Sequence, residues 1–191
     1  MRSAFVVSLL AGLVCVGGAC SRSTPPEFQP TATVKDIMDS VVDPNADAIW
    51  DSVEIVATLQ GIEEKAPRTD EEWKDLRRHA ISLLEASNLL LVPGRQVAKP
   101  GEKAEDERVD LTPEEIADRV KNDPGAWTSG AHGLHAATLE SLQAIEARDV
   151  KALLNAGDVL DQACETCHRR YWYRVAPGTD VDTSQRPKNG S

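Results

Sequence analysis

Apolar residues recur at intervals of three and four positions through residues 33–175, which is the period of a helix with one buried face. The pattern predicts four main helices and no convincing strand. The first should run from about Thr33 to Leu59, because an apolar stripe continues to that point. Pro44 lies inside this stretch, and we expect it to kink the helix or to split it in two.

Capping signals predict where the other helices begin. They are Thr69 with Glu72 three positions on, Thr112 followed by Pro113, Asp123 followed by Pro124, and Asp149. The signal at Thr112 opens only a short helix that ends near Asn122, so three long helices follow the first one. Pro93-Gly94 stops the second long helix. The polar residues 95–111 after it predict a long surface connection.

Four long helices favour an all-α fold, an antiparallel four-helix bundle. With the helices running up, down, up and down, the end of the fourth lies level with the start of the first. The end of the second and the start of the third lie at the same level. The residues expected there are Met38, Leu89, Leu90, Leu91, Trp127, Ala131, His132 and His135. Such bundles bind cofactors between facing helices.

Near the end of the fourth helix the chain carries C-x-x-C-H, as Cys164-Glu165-Thr166-Cys167-His168. This is the spacing of a c-type haem attachment site. Two thiols three positions apart share a helix face, so both can form thioether bonds to the two vinyl groups of one haem. The imidazole of His168 follows directly and can bind the iron as an axial ligand. The motif therefore predicts one covalently bound haem c.

Three other interpretations of the motif remain open. A thioredoxin-like pair uses a helix N-terminus to lower its thiol pKa, whereas this pair comes late in a helix. A zinc site would use Cys164, Cys167 and His168, and it needs a fourth ligand. Only His132 or His135 is a candidate for that ligand. The two cysteines could also form a disulfide in an exported protein.

The start of the chain is typical of an export signal. Residues 1–19 combine a basic tip, an apolar run of about fourteen residues and small residues before Cys20. Those small residues resemble the lipobox of bacterial lipoproteins, in which Cys20 becomes the acylated first residue, although Gly17 stands where leucine is preferred. Ordinary cleavage near Ala19, or an uncleaved anchor, are the alternatives. We therefore expect a periplasmic or exported bacterial protein, tethered to the membrane as a lipoprotein.

Composition divides and characterises the rest of the chain. Residues 20–32 predict a tether, residues 176–191 a disordered tail, and residues 33–175 one domain between them. The formal net charge is −10, and removal of residues 1–19 with Arg2 makes it −11. So acidic a chain is a poor candidate for nucleic acid, and a lipid anchor would be its only contact with a membrane. The charge could steer it to a basic patch on a redox partner, or serve solubility alone.

The sequence resembles the class II c-type cytochromes, the cytochrome c prime family, over residues 33–175. The match rests on Cys164–His168 in the last of four helices, on Arg170-Tyr171 just behind, and on a methionine in the first helix. The resemblance implies a four-helix bundle with haem near the C-terminus of the last helix. It also implies a monohaem electron carrier that serves redox partner proteins and can form a homodimer. The proline in the first helix, the insert at 95–122 and the lipobox-like start depart from the family pattern.

The family resemblance also bears on the sixth iron ligand. Members with methionine at the matching place in the first helix bind the iron through its thioether, and members without it stay five-coordinate and bind small gases. Met38 is the only methionine besides the initiator, so we expect it to be the sixth ligand, with ordinary core packing as the alternative. His132 and His135 are rival ligands or surface histidines. His79 lies ~20 Å along its helix from the haem level and is set aside.

Other residues near the motif suggest a pocket but no catalysis. We expect Tyr171, Arg170 and Trp127 in the haem pocket, with Arg170 either pairing with a propionate or interacting with the helix C-terminus. The aromatic residues 171–173 could shield the haem edge, contact a partner or pack the helix end. No Ser-His-Asp pattern, phosphate loop or catalytic carboxylate pair is present, so we predict no enzyme. The alternatives to electron transfer are a five-coordinate haem that binds nitric oxide or another small gas and, more weakly, peroxide reduction.

Overall fold

The computed structural model describes residues 27–59 and 61–174, without the side chain of Thr58. The predicted signal peptide, the acylation candidate Cys20 and the predicted tail at 176–191 lie outside these residues. The helical elements are α1 (Val34–Ile37), a π-helical turn (Met38–Val42), α2 (Asp43–Trp50), α3 (Asp70–Leu89), α4 (Pro113–Asn122), α5 (Pro124–Ala147) and α6 (Val150–Tyr171). Strands β1 (Glu54–Thr58) and β2 (Gly61–Lys65) form one antiparallel hairpin.

The predicted helix starts are confirmed at the level of individual hydrogen bonds. Thr69 caps α3 in a reciprocal box with Glu72, in which each side chain accepts from the backbone of the other residue. Thr112 caps α4 in the same way. The carboxylates of Asp123 and Asp149 accept from the third residues of α5 and α6. These local signals position the ends of the helices that surround the candidate site.

The first predicted helix is wrong beyond Trp50. Its apolar stripe does not continue to Leu59; the chain leaves the helix and forms the hairpin, so the prediction of no strand is also wrong. Leu59 is fully exposed, and so it takes no part in a buried helix face. Ile55 and Val56 are β-branched, which favours a strand, and Gly61 adopts φ +136°, a conformation that suits glycine in a turn.

The interruption expected at Pro44 takes the form of the π-helical turn. Pro44 occupies the first turn of α2, where a missing N–H leaves no intrahelical bond unmade. Just before it, the Asp43 amide donates to the carbonyl of Met38, five residues back, instead of four. The chain thus stays helical from Val34 to Trp50 with one wide turn in the middle.

Most of the helices pack side by side around one large core, and Val97, Leu111 and Ile116 form a second, small cluster beside α4. α5 lies against α3 and α6, and α2 lies against α3 and α6. The most completely buried apolar side chains of this core are Ile49, Ala80, Leu83, Leu153 and Leu160. The fold is therefore mostly helical with a small two-stranded sheet. Among the described residues, no helix is long and apolar enough to cross a membrane.

The predicted polar connection, residues 95–111, is irregular and crosses one end of this arrangement. Gln96 and Val97 accept through their carbonyls from the first two amides of α1. Further on, the Leu111 amide donates to the carbonyl of Trp172 at 2.8 Å, just beyond α6. The connection thus joins the beginning of α1 to the end of α6, the end of the molecule that carries the motif.

Candidate functional site

The motif lies in the last two turns of α6. Cys164 and Cys167 are three positions apart in the helix, and both are partly buried with free thiols. His168 follows, and its ring centroid lies 5.9 Å from that of Tyr173 and 6.3 Å from that of Trp172. The two thiols and the imidazole are therefore partly buried, and the aromatic rings of the two residues just after α6 lie beside His168.

A cavity of about 290 Å³ adjoins the motif and is walled by the π-helical turn, α2, α5, α6 and the residue after α3. Its lining includes both cysteines and His168. The other residues that line it are Met38, Val42, Asp43, Ala46, Asp47, Trp50, Leu90, Trp127, Gly130, Ala131, Leu134, Asp161, Ala163 and Glu165. The cavity thus occurs where Met38, Leu90, Trp127 and Ala131 were expected to lie together, and all four line it.

A second cavity of about 270 Å³ lies beside the first, towards the polar connection and the end of α6. The two cavities share five lining residues, which are Met38, Asp43, Trp127, Cys167 and His168. The predicted axial ligand and the predicted sixth ligand thus both belong to the boundary between the cavities. Each cavity is near the lower end of the roughly 300–1,000 Å³ typical of ligand sites, and together they fall within it.

The thiols are electrostatically unsuited to exchange chemistry. Burial, with a smaller contribution from the carboxylate of Asp161, raises the pKa of Cys164 to about 12. Burial also raises the pKa of the Cys167 thiol. A thioredoxin-like pair needs the opposite shift, because the thiolate is the reactive form. The position late in α6 and the raised pKa values therefore both disfavour that interpretation.

The structure also gives no support to a zinc site. Across residues 27–59 and 61–174, no group of three or more histidine, cysteine, aspartate or glutamate side chains is arranged to hold a metal ion. His132 is exposed and His135 half-buried. Neither is among the residues that line the two cavities. A fourth ligand for Cys164, Cys167 and His168 is therefore not supplied by either predicted candidate.

Glycine on α5 makes room for one of the thiols. A Cβ atom at Gly130 would lie 3.3 Å from the Sγ atom of Cys167, whereas a Cβ atom at Gly133 would meet nothing within 4 Å. Glycine inside a helix costs stability relative to alanine, so a glycine at a close approach indicates a use for the space. The absence of a side chain at 130 leaves the Cys167 sulfur open to the cavity.

Trp50 is a cavity residue that the sequence reasoning missed. Its indole lines the first cavity, and its Nε1 donates to the carbonyl of Gly157 on α6 at 3.1 Å. A Cβ atom at Gly157 would lie 3.3 Å from the Trp50 ring. The glycine thus leaves room for the indole against α6, where the indole lines the cavity. Helical spacing from Val42 and Ala46 was the signal that could have found it.

The predicted aromatic pocket residues lie together. Trp127 lines both cavities, and its Nε1 donates to the carbonyl of Leu90. Tyr171 is 3 % exposed, packs edge-on against Trp127 at 5.2 Å between ring centroids, and donates its hydroxyl to the carbonyl of Asp123. Both rings therefore join the end of α6 to the beginning of α5, directly beside the motif.

Arg170 lies in the last turn of α6, outside the two cavities. Its guanidinium pairs with the carboxylate of Asp123, and it lines a groove on the outer side of α5 and α6 instead of either cavity. Arg169 pairs with Glu165, and Arg174 pairs with Glu115. Each of the three arginines thus has a carboxylate partner already, and a propionate would have to compete with it.

Carboxylates are common on the walls of both cavities. They belong to Asp39, Asp43, Asp47, Glu105, Asp110, Asp161 and Glu165. Burial raises the pKa of Asp43, and the nearby His168 acts in the opposite direction. This acidic lining was not foreseen from the sequence, because its members come from three separate stretches of the chain.

Comparisons with protein-family models, with curated proteins and with solved structures find no match to this chain. The donor set fits the haem that the motif predicts: two thiols on one helix face, an adjacent imidazole, a thioether at the boundary of the two cavities, and walls that include leucine, alanine and tryptophan.

Proposed function

We propose that the chain is an exported monohaem c-type cytochrome of the four-helix class II type that carries single electrons between redox partners. The observation that supports this most strongly is the position of C-x-x-C-H. Both thiols and the imidazole lie at the end of α6 on a cavity that Met38 also lines. A thioether opposite an imidazole stabilises reduced iron and suits an electron carrier.

The residues of the motif have distinct roles in this proposal. Cys164 and Cys167 would hold the haem covalently, each through a thioether bond formed when its S–H adds across one vinyl double bond. His168 and Met38 would bind the haem iron. When bound, the haem supplies the one-electron chemistry of its iron. Trp50, Trp127 and Tyr171 contribute aromatic walls to the two cavities.

Export agrees with the same proposal. Covalent haem attachment in bacteria takes place outside the cytoplasm, and residues 1–20 carry the predicted signal and lipidation site. The acidic chain would be steered to a basic patch on its partner. A lipid-anchored carrier would find that partner at the membrane surface.

The test is the absorption spectrum of the haem-loaded protein, oxidised and reduced, beside that of a Met38→Ala variant. We expect the parent to show the weak far-red charge-transfer band of methionine bound to ferric haem, and the variant to lose it. Leu91→Ala, which changes an apolar residue packed near the core, is the control and should keep the band. A high-spin spectrum that Met38→Ala leaves unchanged would rule out this ligand.

One observation favours a second function. Leu90, Ala131 and Leu134 place apolar groups on the wall of the first cavity, surroundings that suit a small gas molecule. Were Met38 not bound to the iron, the protein would bind nitric oxide or another small gas at an open position. The high-spin outcome of the same spectrum, with rapid carbon monoxide binding, would select this function.

A further inference from the structure

The π-helical turn that contains Met38 is the least ordinary piece of backbone near the site. π-helical turns are rare, and those that occur are often found at functional sites. Here the turn occupies Met38–Val42, and both of its end residues line the first cavity. This wide turn affects the position of the Met38 side chain.

The pattern of burial along the first helical stretch shows how the turn does so. Val34 and Ile37 are buried before the turn, and Val42, Ala46 and Ile49 are buried after it. Val42 follows Ile37 by five positions, one more than an α-helix needs to bring two residues onto the same face. In an uninterrupted α-helix Met38 would lie above Val42 and would take the core position of Ile37. The wide turn keeps Ile37 in the core and leaves Met38 beside it, on the cavity wall.

Two side chains hold this turn from outside the cavity. The amide nitrogen of Asn45 donates to the carbonyl of Val41 at 2.6 Å, within the turn. The amide oxygen of Asn45 is 2.8 Å from Nδ1 of His79 on α3. Because an amide oxygen only accepts, Nδ1 of His79 must carry the hydrogen of this bond. The three residues thus form one chain of hydrogen bonds from α3 to the π-helical turn.

We propose that Asn45 and His79 are positioning residues for the axial ligand: they hold the π-helical turn in the register that directs Met38 to the cavity. The inference rests on the proposed function, since it assigns the origin of the Met38 position. It also gives a role to His79, which does not line either cavity. Neither residue touches the haem site, so their effect passes through the backbone of Val41.

The experiment uses the full, haem-loaded protein and measures the far-red band, the reduction potential and amide hydrogen exchange of the segment 38–46. Asn45→Ala and His79→Ala should each raise the ratio of Met38-free to Met38-bound ferric haem about fivefold, the effect of one lost hydrogen bond. The potential should fall in both, and exchange should accelerate in the segment. His79→Asn should restore the band, because its amide nitrogen can take the place of Nδ1.

The matched controls make the same chemical changes elsewhere. Asn155 on α6 and His132 on α5 are exposed, so Asn155→Ala and His132→Ala should leave the band and the exchange unchanged. The double variant of Asn45 and His79 should lose no more of the band than Asn45→Ala alone, because both belong to one chain of bonds.

Two kinds of result separate this inference from the proposed function. A parent protein with the band, together with an unchanged band and unchanged exchange in Asn45→Ala and His79→Ala, would overturn the positioning role alone. Effects of the two variants that simply add would also overturn it. A parent without covalent haem, or without the band, would overturn both the inference and the Met38 ligation on which it rests.

Discussion

At the scale of single residues, two glycines of α5 differ in the space that surrounds them. Gly130 is the clearest example, since a Cβ atom there would lie 3.3 Å from the Cys167 sulfur. A Cβ atom at Gly133, three positions on in the same helix, would meet nothing within 4 Å. The two glycines therefore form a natural pair for testing whether the space around Cys167 is used.

We expect Gly130→Val to lower the yield of doubly attached haem severalfold, because the added methyl groups crowd the sulfur that must form the thioether. Gly133→Val makes the same change in helix propensity without that contact. Intact-mass measurement and the reduced absorption spectrum of the two variants check the expectation. Equal yields from both would show that the space beside Cys167 has no part in attachment.

The buried thiols also make a prediction about pH. The fold raises the pKa of Cys164 to about 12, well above the ordinary value, so folding favours the protonated thiol. That contribution to stability is present below about pH 9 and is lost as the pH rises towards 12. The haem-free chain should therefore lose stability over this range more steeply than its Cys164→Ala variant. Denaturant unfolding at several pH values measures the difference, and a constant difference would contradict the raised pKa.

Some of the site could be predicted from the sequence and some could not. The motif and Met38 were expected at the same end of the helices, and both line the first cavity. This could be predicted because the direction of each helix decides which residues lie at that end. The position of Met38 as an iron ligand stays a prediction. His132 and His135 were expected at the same level, but rotation about α5 turns them from the cavities. The bonds between Asn45 and His79 join distant segments, and no local pattern reveals them.

At the scale of elements, the helix starts that carry a capping residue were predicted well, and the end of the first helix was not. A capping interaction joins residues within a span of four positions, so it can be recognised in the sequence. The hairpin was missed because Val53, Val56 and Leu59 happen to have helical spacing. Their side chains never became a buried stripe, since Leu59 is fully exposed and Val56 is 39 % exposed. Helical spacing of apolar residues predicts a helix only when other parts of the fold cover the apolar face.

The end of α6 is joined to the beginning of α5 by a bond that can be removed alone. The Tyr171 hydroxyl donates to the Asp123 carbonyl at 3.0 Å, and that carbonyl also accepts from the amide of Trp127. Tyr171→Phe should therefore cost about 1 kcal/mol of unfolding free energy, the usual value of one buried hydrogen bond, while haem attachment persists. Denaturant unfolding measures the loss.

Tyr173→Phe is the matched control for that change. Its hydroxyl lies 3.4 Å from the carboxylate of Glu165, near the limit of a hydrogen bond, so its loss should be much smaller. Equal losses in the two variants would contradict the assignment of the stabilising contact to Tyr171 and Asp123.

At the scale of the whole molecule, two features act together. The helices and the polar connection bring the motif, Met38 and the aromatic residues to one end of the fold. The same end carries carboxylates from several segments, in a chain whose formal net charge is −10. Under the proposed function, an electron would leave or enter through an acidic face, and a basic partner would be favoured there.

The proposed function requires that C-x-x-C-H hold one haem covalently. The most direct measurement is the intact mass of the protein produced in a bacterium that attaches haem to a reference c-type cytochrome expressed in the same cells. We predict an increase by the mass of one haem that survives denaturation, and its loss when Cys164 and Cys167 are both changed to alanine. A denatured parent chain that carries no haem, beside a fully loaded reference cytochrome, would show that the motif does not attach haem.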